Sequence, residues 1–289
     1  VRHLRSTVLF SYAGKLAKPR SKHDNTKIML IKRKSIEKEV ASRRPANIAQ
    51  APVTISEDDG VRYLHFGTRW VQGAMRLRKP DWLELEYVQQ MMAWMLFIQQ
   101  PKHIVQLGLG AAALTKFCYR HFPDAQVTTI ELNPSVIAVC RSMFKLPPDD
   151  DRLHVIEMDA MDFVKDRANH GTIDVLQADL YDKDAQGPVL DTPAFYQACA
   201  NCLTPNGIMV TNLFGEHPSY DKNLEAMRSA FDYVQCLPTV AAGNAVALAF
   251  KRRPTLDFRV LYERALEIGE LTQLPARQWV NGLKLSQPG

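Results

Sequence analysis

Four carboxylates in this chain stand where an apolar run gives out. Glu131 closes the run in "VTTIELNP", Asp159 follows "LHVIEM", and Asp179 and Asp182 follow "IDVLQA" in "IDVLQADLYDKD". Upstream, "IVQLGLGAAAL" runs from Ile104 to Leu114, and Glu131 comes 23 residues after Gly108. Glycines after a strand let a ligand approach the backbone closely, because they lack Cβ. A carboxylate at the end of the next strand accepts both hydroxyls of a ribose, and Asp159 with Ala160 stands where an adenine amino group is met. Two acids three residues apart, Asp179 and Asp182, suit a cationic amine: opposite charge orients the ammonium and one carboxylate accepts its proton. Each signal has a plainer counterpart. "GLGAAA" also fits close helix-to-strand packing, and Asp182 and Asp184 are ordinary turn residues. The helix after the glycines offers only Thr115 and Lys116 to a phosphate, so a nucleoside without phosphates is the expected ligand.

Such a site needs a sheet whose strands all end on one side. From His103 onward, continuous apolar runs alternate with segments of helical period: "HIVQLGL", "AAALTKFCYRHF", "AQVTTIEL", "PSVIAVCRSMF", "LHVIEM", "AMDFVKDRA", "IDVLQADL", "TPAFYQACANCL", "GIMVTNLF" and "YDKNLEAMRSAF". This is the pattern of βαβ units on a parallel sheet covered on both faces. The late strands "DYVQCLP" and "NAVALAFK" bring the count to seven, the last expected to be antiparallel. Before the sheet, "VTISEDDGVRYLHFGTRWVQGAM" carries a DDG turn between alternating runs, the mark of a small antiparallel β-unit. "PDWLELEYVQQMMAWMLFI" then reads as one helix with an apolar face at Leu83, Tyr87, Met91 and Met95, and "DFRVLYERALEIGEL" as the one remaining amphipathic helix before a polar tail. The expected division is a basic leader over 1–50, the β-unit over 51–78, the α/β domain over 79–253 and a helix with tail over 254–289.

With 289 residues, 46% hydrophobic and 23% charged, the chain has the composition of a globular protein with a sizeable core. The net charge of +5 is unevenly placed, since residues 1–50 hold 13 Lys+Arg against 3 Asp+Glu. That arm is expected to be solvated; contacts with nucleic acid, if any, belong to it. The longest apolar run, Met91 to Ile98, is far short of the roughly 20 residues that cross a bilayer. No secretory signal is legible, Met29 offers an internal start, and the cytoplasm is the expected compartment. Five cysteines make no disulfide framework, and the CxxC of Cys199 and Cys202 is expected to be two packed thiols on a helix rather than half of a metal site.

From Val53 to Lys251 the chain resembles the spermidine synthases, the polyamine aminopropyltransferases. The likeness rests on the β-unit, Tyr87, "GLGAAAL", "TTIELNPSVI", "RLHVIEMDAMDFV", "DVLQADLYD", Gly187 with Pro188, and "FYQACANCLTPNGIMVTNL", in that order. The resemblance implies a seven-stranded methyltransferase-like Rossmann sheet with a small N-terminal antiparallel β-domain, and a homodimer. It implies transfer of an aminopropyl group from decarboxylated S-adenosylmethionine to a small-molecule amine acceptor, without a metal. By motif position, Gly108 and Gly110 border the nucleoside, Glu131 holds its ribose, and Asp159 and Ala160 its adenine. Asp179, Asp182 and Tyr87 serve the amine, and Gln72 and Tyr181 line its channel. The family's GGGDGG loop places its aspartate on Ala111 here, and its DSSDP loop becomes DLYDK, with both acids kept. A methyltransferase using intact S-adenosylmethionine and a non-catalytic nucleoside-binding module are the alternatives.

Overall fold

The computed structural model describes residues 10–11, 52–182 and 188–286. Its centre is a sheet of seven strands: β5 (His103–Leu107), β6 (Gln126–Glu131), β7 (Leu153–Glu157), β8 (Ile173–Ala178), β9 (Leu203–Phe214), β10 (Tyr233–Cys236) and β11 (Asn244–Phe250). They lie side by side in the order β10-β11-β9-β8-β5-β6-β7. All neighbours from β9 to β7 are parallel, while β11 runs antiparallel to both β9 and β10. The antiparallel last strand expected from the sequence is thus present, inserted one place in from the edge. The chain moves outward from β5 through β6 to β7 and then returns to the other side of β5 for β8. That reversal opens a crevice between the ends of β5 and β8, where ligands of such sheets bind.

A second, antiparallel sheet is built from β1 (Phe10–Ser11), β2 (Thr54–Asp58), β3 (Val61–His65) and β4 (Gly73–Arg76). Its β2–β3 turn carries Asp59 and Gly60 at φ 44° and 75°, as the DDG signal requires. Apart from Phe10–Ser11, the basic leader lies outside the described residues.

Successive strand residues point to opposite faces of the main sheet and feed two cores. Ile104 of β5 packs with α2 (Ala113–His121), α3 (Pro134–Met143), α7 (Phe258–Thr272) and α8 (Ala276–Leu285). Val105 and Leu107 pack on the other face with α4 (Ala160–Lys165), α5 (Pro193–Cys202) and α6 (Tyr220–Ala230). The helices start where side chains can serve their free N–H groups. Asn133 accepts from Ser135 N at 3.0 Å, Thr192 from Phe195 N at 3.2 Å, and Asp257 from Arg259 N at 3.0 Å. Cys199 and Cys202 are buried thiols on α5.

One polar group crosses the first core. Gln106 of β5 donates to Gln177 of β8 at 3.1 Å and accepts from Thr115 (2.6 Å) and Thr129 (2.9 Å). Gln177 in turn donates to the Met91 carbonyl at 3.0 Å. That last bond helps explain a departure from the sequence expectation. The segment 80–98 is not one helix but α1 (Glu86–Gln90) followed by a 3-10 turn, Ala93–Leu96. Residues 91–96 are buried all round, so no solvated helical face exists there, and the Met91 carbonyl is turned to Gln177 rather than along a helix axis. A second departure is at the C-terminus, where the expected polar tail forms α8. Its Trp279, Val280 and Leu283 are buried, and Gly282 interrupts the pattern because a Cβ there would stand 2.4 Å from the Pro238 ring.

No helix among the described residues is long and apolar enough to cross a membrane.

Candidate active site

The crevice at the ends of β5 and β8 is lined by Gln72, Tyr87, Gly108, Gly110, Ala111 and Asp179, with Glu84, Val88 and Leu114 beside them. Two elements are forced together there by the absence of side chains. Gly108 sits at φ 93°, and a Cβ on it would meet the Asp179 carbonyl oxygen at 2.5 Å. Gly73, at the start of β4, lies so close to the loop that its Cβ would stand 2.5 Å from Ala111 N. The small sheet therefore roofs the glycine loop, and Gln72 reaches across to donate to the Asp182 carbonyl at 3.1 Å.

Asp179 is held at both oxygens. Asn212 of β9 donates to its Oδ1 at 2.8 Å, and the Tyr87 hydroxyl donates to Oδ2 at 3.2 Å. Asn212 is itself oriented, since its Oδ1 accepts from Asn244 of β11 at 3.0 Å, which turns its amide N–H toward Asp179. Tyr181 donates to the Asn212 carbonyl at 3.1 Å, tying the segment after β8 to the neighbouring strand. Burial raises the Asp179 carboxyl above the usual carboxylate value, opposed by the two donors. Burial, and then the Asp179 charge, raise the Tyr87 phenol well above its ordinary value, so it remains a donor.

Glu131 lies behind the loop and shapes it. Its Oε2 accepts from Leu109 N at 3.0 Å and its Oε1 from Asn133 N at 2.8 Å. Burial raises its carboxyl above the ordinary value, while these N–H groups pull it down. Each oxygen keeps further lone pairs for an incoming hydroxyl. Asp159 and Ala160 stand at the end of the neighbouring strand β7, outside the lining of the crevice, where Asp159 Oδ1 caps α4 by accepting from Met161 N at 2.7 Å. Neither Thr115 nor Lys116 faces a ligand. Thr115 bonds Gln106, and the buried Lys116 donates to the Phe144 carbonyl at 2.7 Å. Burial lowers the Lys116 ammonium to about 8.

Three residues absent from the sequence reading belong to this arrangement. Asn212 and Asn244 are polar residues within otherwise apolar strands, a signal available in "GIMVTNLF" and "NAVALAFK". Glu84 is the other acid beside Asp179 in the described lining, and its carboxylate is paired with Arg76 at 2.9 and 2.5 Å.

A parallel sheet with an antiparallel insertion, a glycine loop at its reversal point and acids at successive strand ends define a methyltransferase-like Rossmann protein. Solved structures share this fold: a probable spermidine synthase from Corynebacterium glutamicum (TM-score 0.64, 18% identity, 81% of this chain and 92% of that one) and human methyltransferase-like protein 13 in complex with SAH (TM-score 0.55, 21% identity, 71% and 94%). Within that class, the chain belongs to the spermine/spermidine synthase domain family, which matches residues 85–258. It is 35% identical over 243 residues to the polyamine aminopropyltransferase of Chromobacterium violaceum, covering 83% of this chain and 92% of the relative.

Proposed function

We propose that the chain transfers an aminopropyl group from an S-adenosyl sulfonium donor to a small aliphatic amine, with Asp179 as the group that receives the amine. The observation that carries this reading is the placement of Asp179: it is fixed by Tyr87 and Asn212 and lines the same crevice as the glycine loop. Membership of the family and the relatives named polyamine aminopropyltransferase support it. Glu131 and the loop take the ribose, Asp159 and Ala160 the adenine, and Asp182, Gln72 and Tyr181 border the acceptor. In transfer, the amine nitrogen attacks the carbon attached to sulfur. A carbon–nitrogen bond forms, the carbon–sulfur bond breaks with its electron pair left on sulfur, and a neutral thioether nucleoside departs. The attacking amine must be neutral, so Asp179 accepts the proton it sheds. Most of the remaining contribution is alignment of two reactants in one crevice. Decarboxylated S-adenosylmethionine is the proposed donor; Glu84, the other acid in the lining, is already held at both oxygens by Arg76. A homodimer in the cytoplasm completes the reading.

The test is turnover of decarboxylated and intact S-adenosylmethionine with a panel of di- and polyamines, following methylthioadenosine release and methylated amine by mass spectrometry. Methylthioadenosine formed with an amine supports aminopropyl transfer. Methylated product from the intact donor, or no turnover of either, overturns it.

A further inference from the structure

Asp179 is the last member of a line of side-chain hydrogen bonds that begins two strands away. Asn244 opens β11, and its Nδ2 donates to Asn212 Oδ1 at 3.0 Å; Asn212 Nδ2 donates in turn to Asp179 Oδ1 at 2.8 Å. The register partner of Asn212 on β11 is Val246, so Asn244 is its diagonal neighbour on the same face of the sheet. The two asparagines are 2% and 9% exposed, and neither lines the crevice. Backbone anchors the far end of the line. Val240 N donates to the Asn244 carbonyl at 2.9 Å, Gly243 N to the Val240 carbonyl at 2.8 Å, and Gly215 N to the Gly243 carbonyl at 2.9 Å.

Amides have a direction, and this line can run only one way. An ionised carboxylate accepts and never donates, so Asn212 must present its NH2 to Asp179, and its oxygen is then left for Asn244 to satisfy. If position 244 offered an acceptor instead, the Asn212 amide would meet it by turning over and would set its own oxygen against Asp179 Oδ1. That pair is bonded only when Asp179 carries a proton. We infer, on the proposed role of Asp179, that Asn244 is a positioning residue for transfer: through Asn212 it fixes the direction of the relay and keeps Asp179 an ionised acceptor for the proton of the amine. Burial raises the Asp179 carboxyl, and of the two bonds that lower it the one from Asn212 comes before the one from Tyr87. The other titratable groups beside Asp179 are the Tyr87 and Tyr181 phenols, each raised by burial and then by the Asp179 charge and so neutral, and Glu84 across the lining, which Arg76 pairs. Tyr87 is committed to Oδ2 and Tyr181 to the Asn212 carbonyl, so neither replaces the Asn212 donor at Oδ1.

The test follows the Asp179 carboxyl by carbon NMR of the full chain labelled at aspartate, with D179N supplying the assignment. Beside it runs the pH profile of methylthioadenosine release from decarboxylated S-adenosylmethionine with putrescine. N244L removes the donor at nearly constant volume, and N244D keeps the shape and inverts the polarity. Both should move the Asp179 midpoint up by about one pH unit, and the acid limb of kcat/KM with it, since a hydrogen bond to a charged group is worth about tenfold or more. Methylthioadenosine affinity by calorimetry should stay unchanged, because Glu131 and Leu109 N belong to other strand ends. In an N212L background, where the relay is cut, N244L should add nothing, and whatever N244D still adds there is the effect of its charge alone. If N244L fails to fold, N244D with and without N212L makes the same comparison. A midpoint unmoved in both variants, or a shift of the same size with and without N212L, overturns the proposal and leaves Asp179 its proposed role. A midpoint that moves while the rate profile stays put removes Asp179 from the chemistry, and the part proposed for Asn244 falls with it.

Discussion

Replacing Asp179 by Asn separates chemistry from binding, because the site can accept the new amide while losing the charge. Asn212 can only donate at Oδ1, so the asparagine must keep its oxygen there and turn its NH2 toward Tyr87. The Tyr87 hydroxyl can accept as well as donate, and the exchange leaves no buried donor facing another. What disappears is the proton acceptor for the attacking amine. Transfer should slow by about 100-fold or more, equivalent to about 2.7 kcal/mol in the barrier. Nucleoside affinity should hardly move, since Glu131 and Leu109 N belong to another strand end. Stability offers an independent reading. Burial raises the Asp179 carboxyl, so the folded state holds that proton to a higher pH than the unfolded state does. Its contribution is therefore present below the unfolded value, near 3.9, and is lost as pH rises through the folded value. The Asn variant lacks this loss and should melt at or above the wild-type temperature at pH 7, with the difference shrinking toward pH 4. Methylthioadenosine release, calorimetry and melts at several pH values cover all three statements. A variant as fast as wild type, or one that loses rate and nucleoside affinity together, refutes the assignment.

Glu131→Gln places an NH2 group against either Leu109 N or Asn133 N and should weaken methylthioadenosine binding by about 1–3 kcal/mol with the fold retained, as calorimetry and circular dichroism would show. Gly108→Ala sets a methyl 2.5 Å from the Asp179 carbonyl oxygen at a positive φ, and denaturant titration should register a loss of at least about 2 kcal/mol. Lys116→Met tests the buried ammonium. Its folded value of about 8 lies below the unfolded 10.5, so the Lys116 contribution grows as pH rises between those values, and the stability of wild type relative to the Met variant should rise by up to about 3 kcal/mol across that window.

Much of the scaffold was legible because each strand ends in a change of chemistry. Gly108, Glu131 and Asp179 follow buried, largely apolar strands, and a parallel sheet brings such endings to one side. The supports of Asp179 were not legible in the same way. Asn212 lies more than thirty residues downstream, and only the insertion of β11 beside β9 brings Asn244 to it. α1 was overextended because a fully buried segment has no polar face to betray where the helix stops. α8 was missed because Gly282 weakens its helical pattern, although packing against Pro238 demands a glycine there. Local pattern carries the strand ends; contacts between distant segments carry the rest.

The glutamine pair at the sheet's centre has a bearing on accuracy of assembly. Gln106 and Gln177 are register partners on β5 and β8, and Gly108 and Asp179 each come two residues later. Valine, leucine and isoleucine tolerate a neighbour of similar shape, so an apolar sheet alone discriminates weakly among alignments. A slip of one residue would rotate one amide to the opposite face and strand its partner, at about 1–3 kcal/mol for each orphaned group. The pair thus works as a proofreading mark: the alignment that satisfies it is the alignment that sets the glycine against the carbonyl of the proposed catalytic aspartate, and a misthreaded chain is penalised before any ligand arrives.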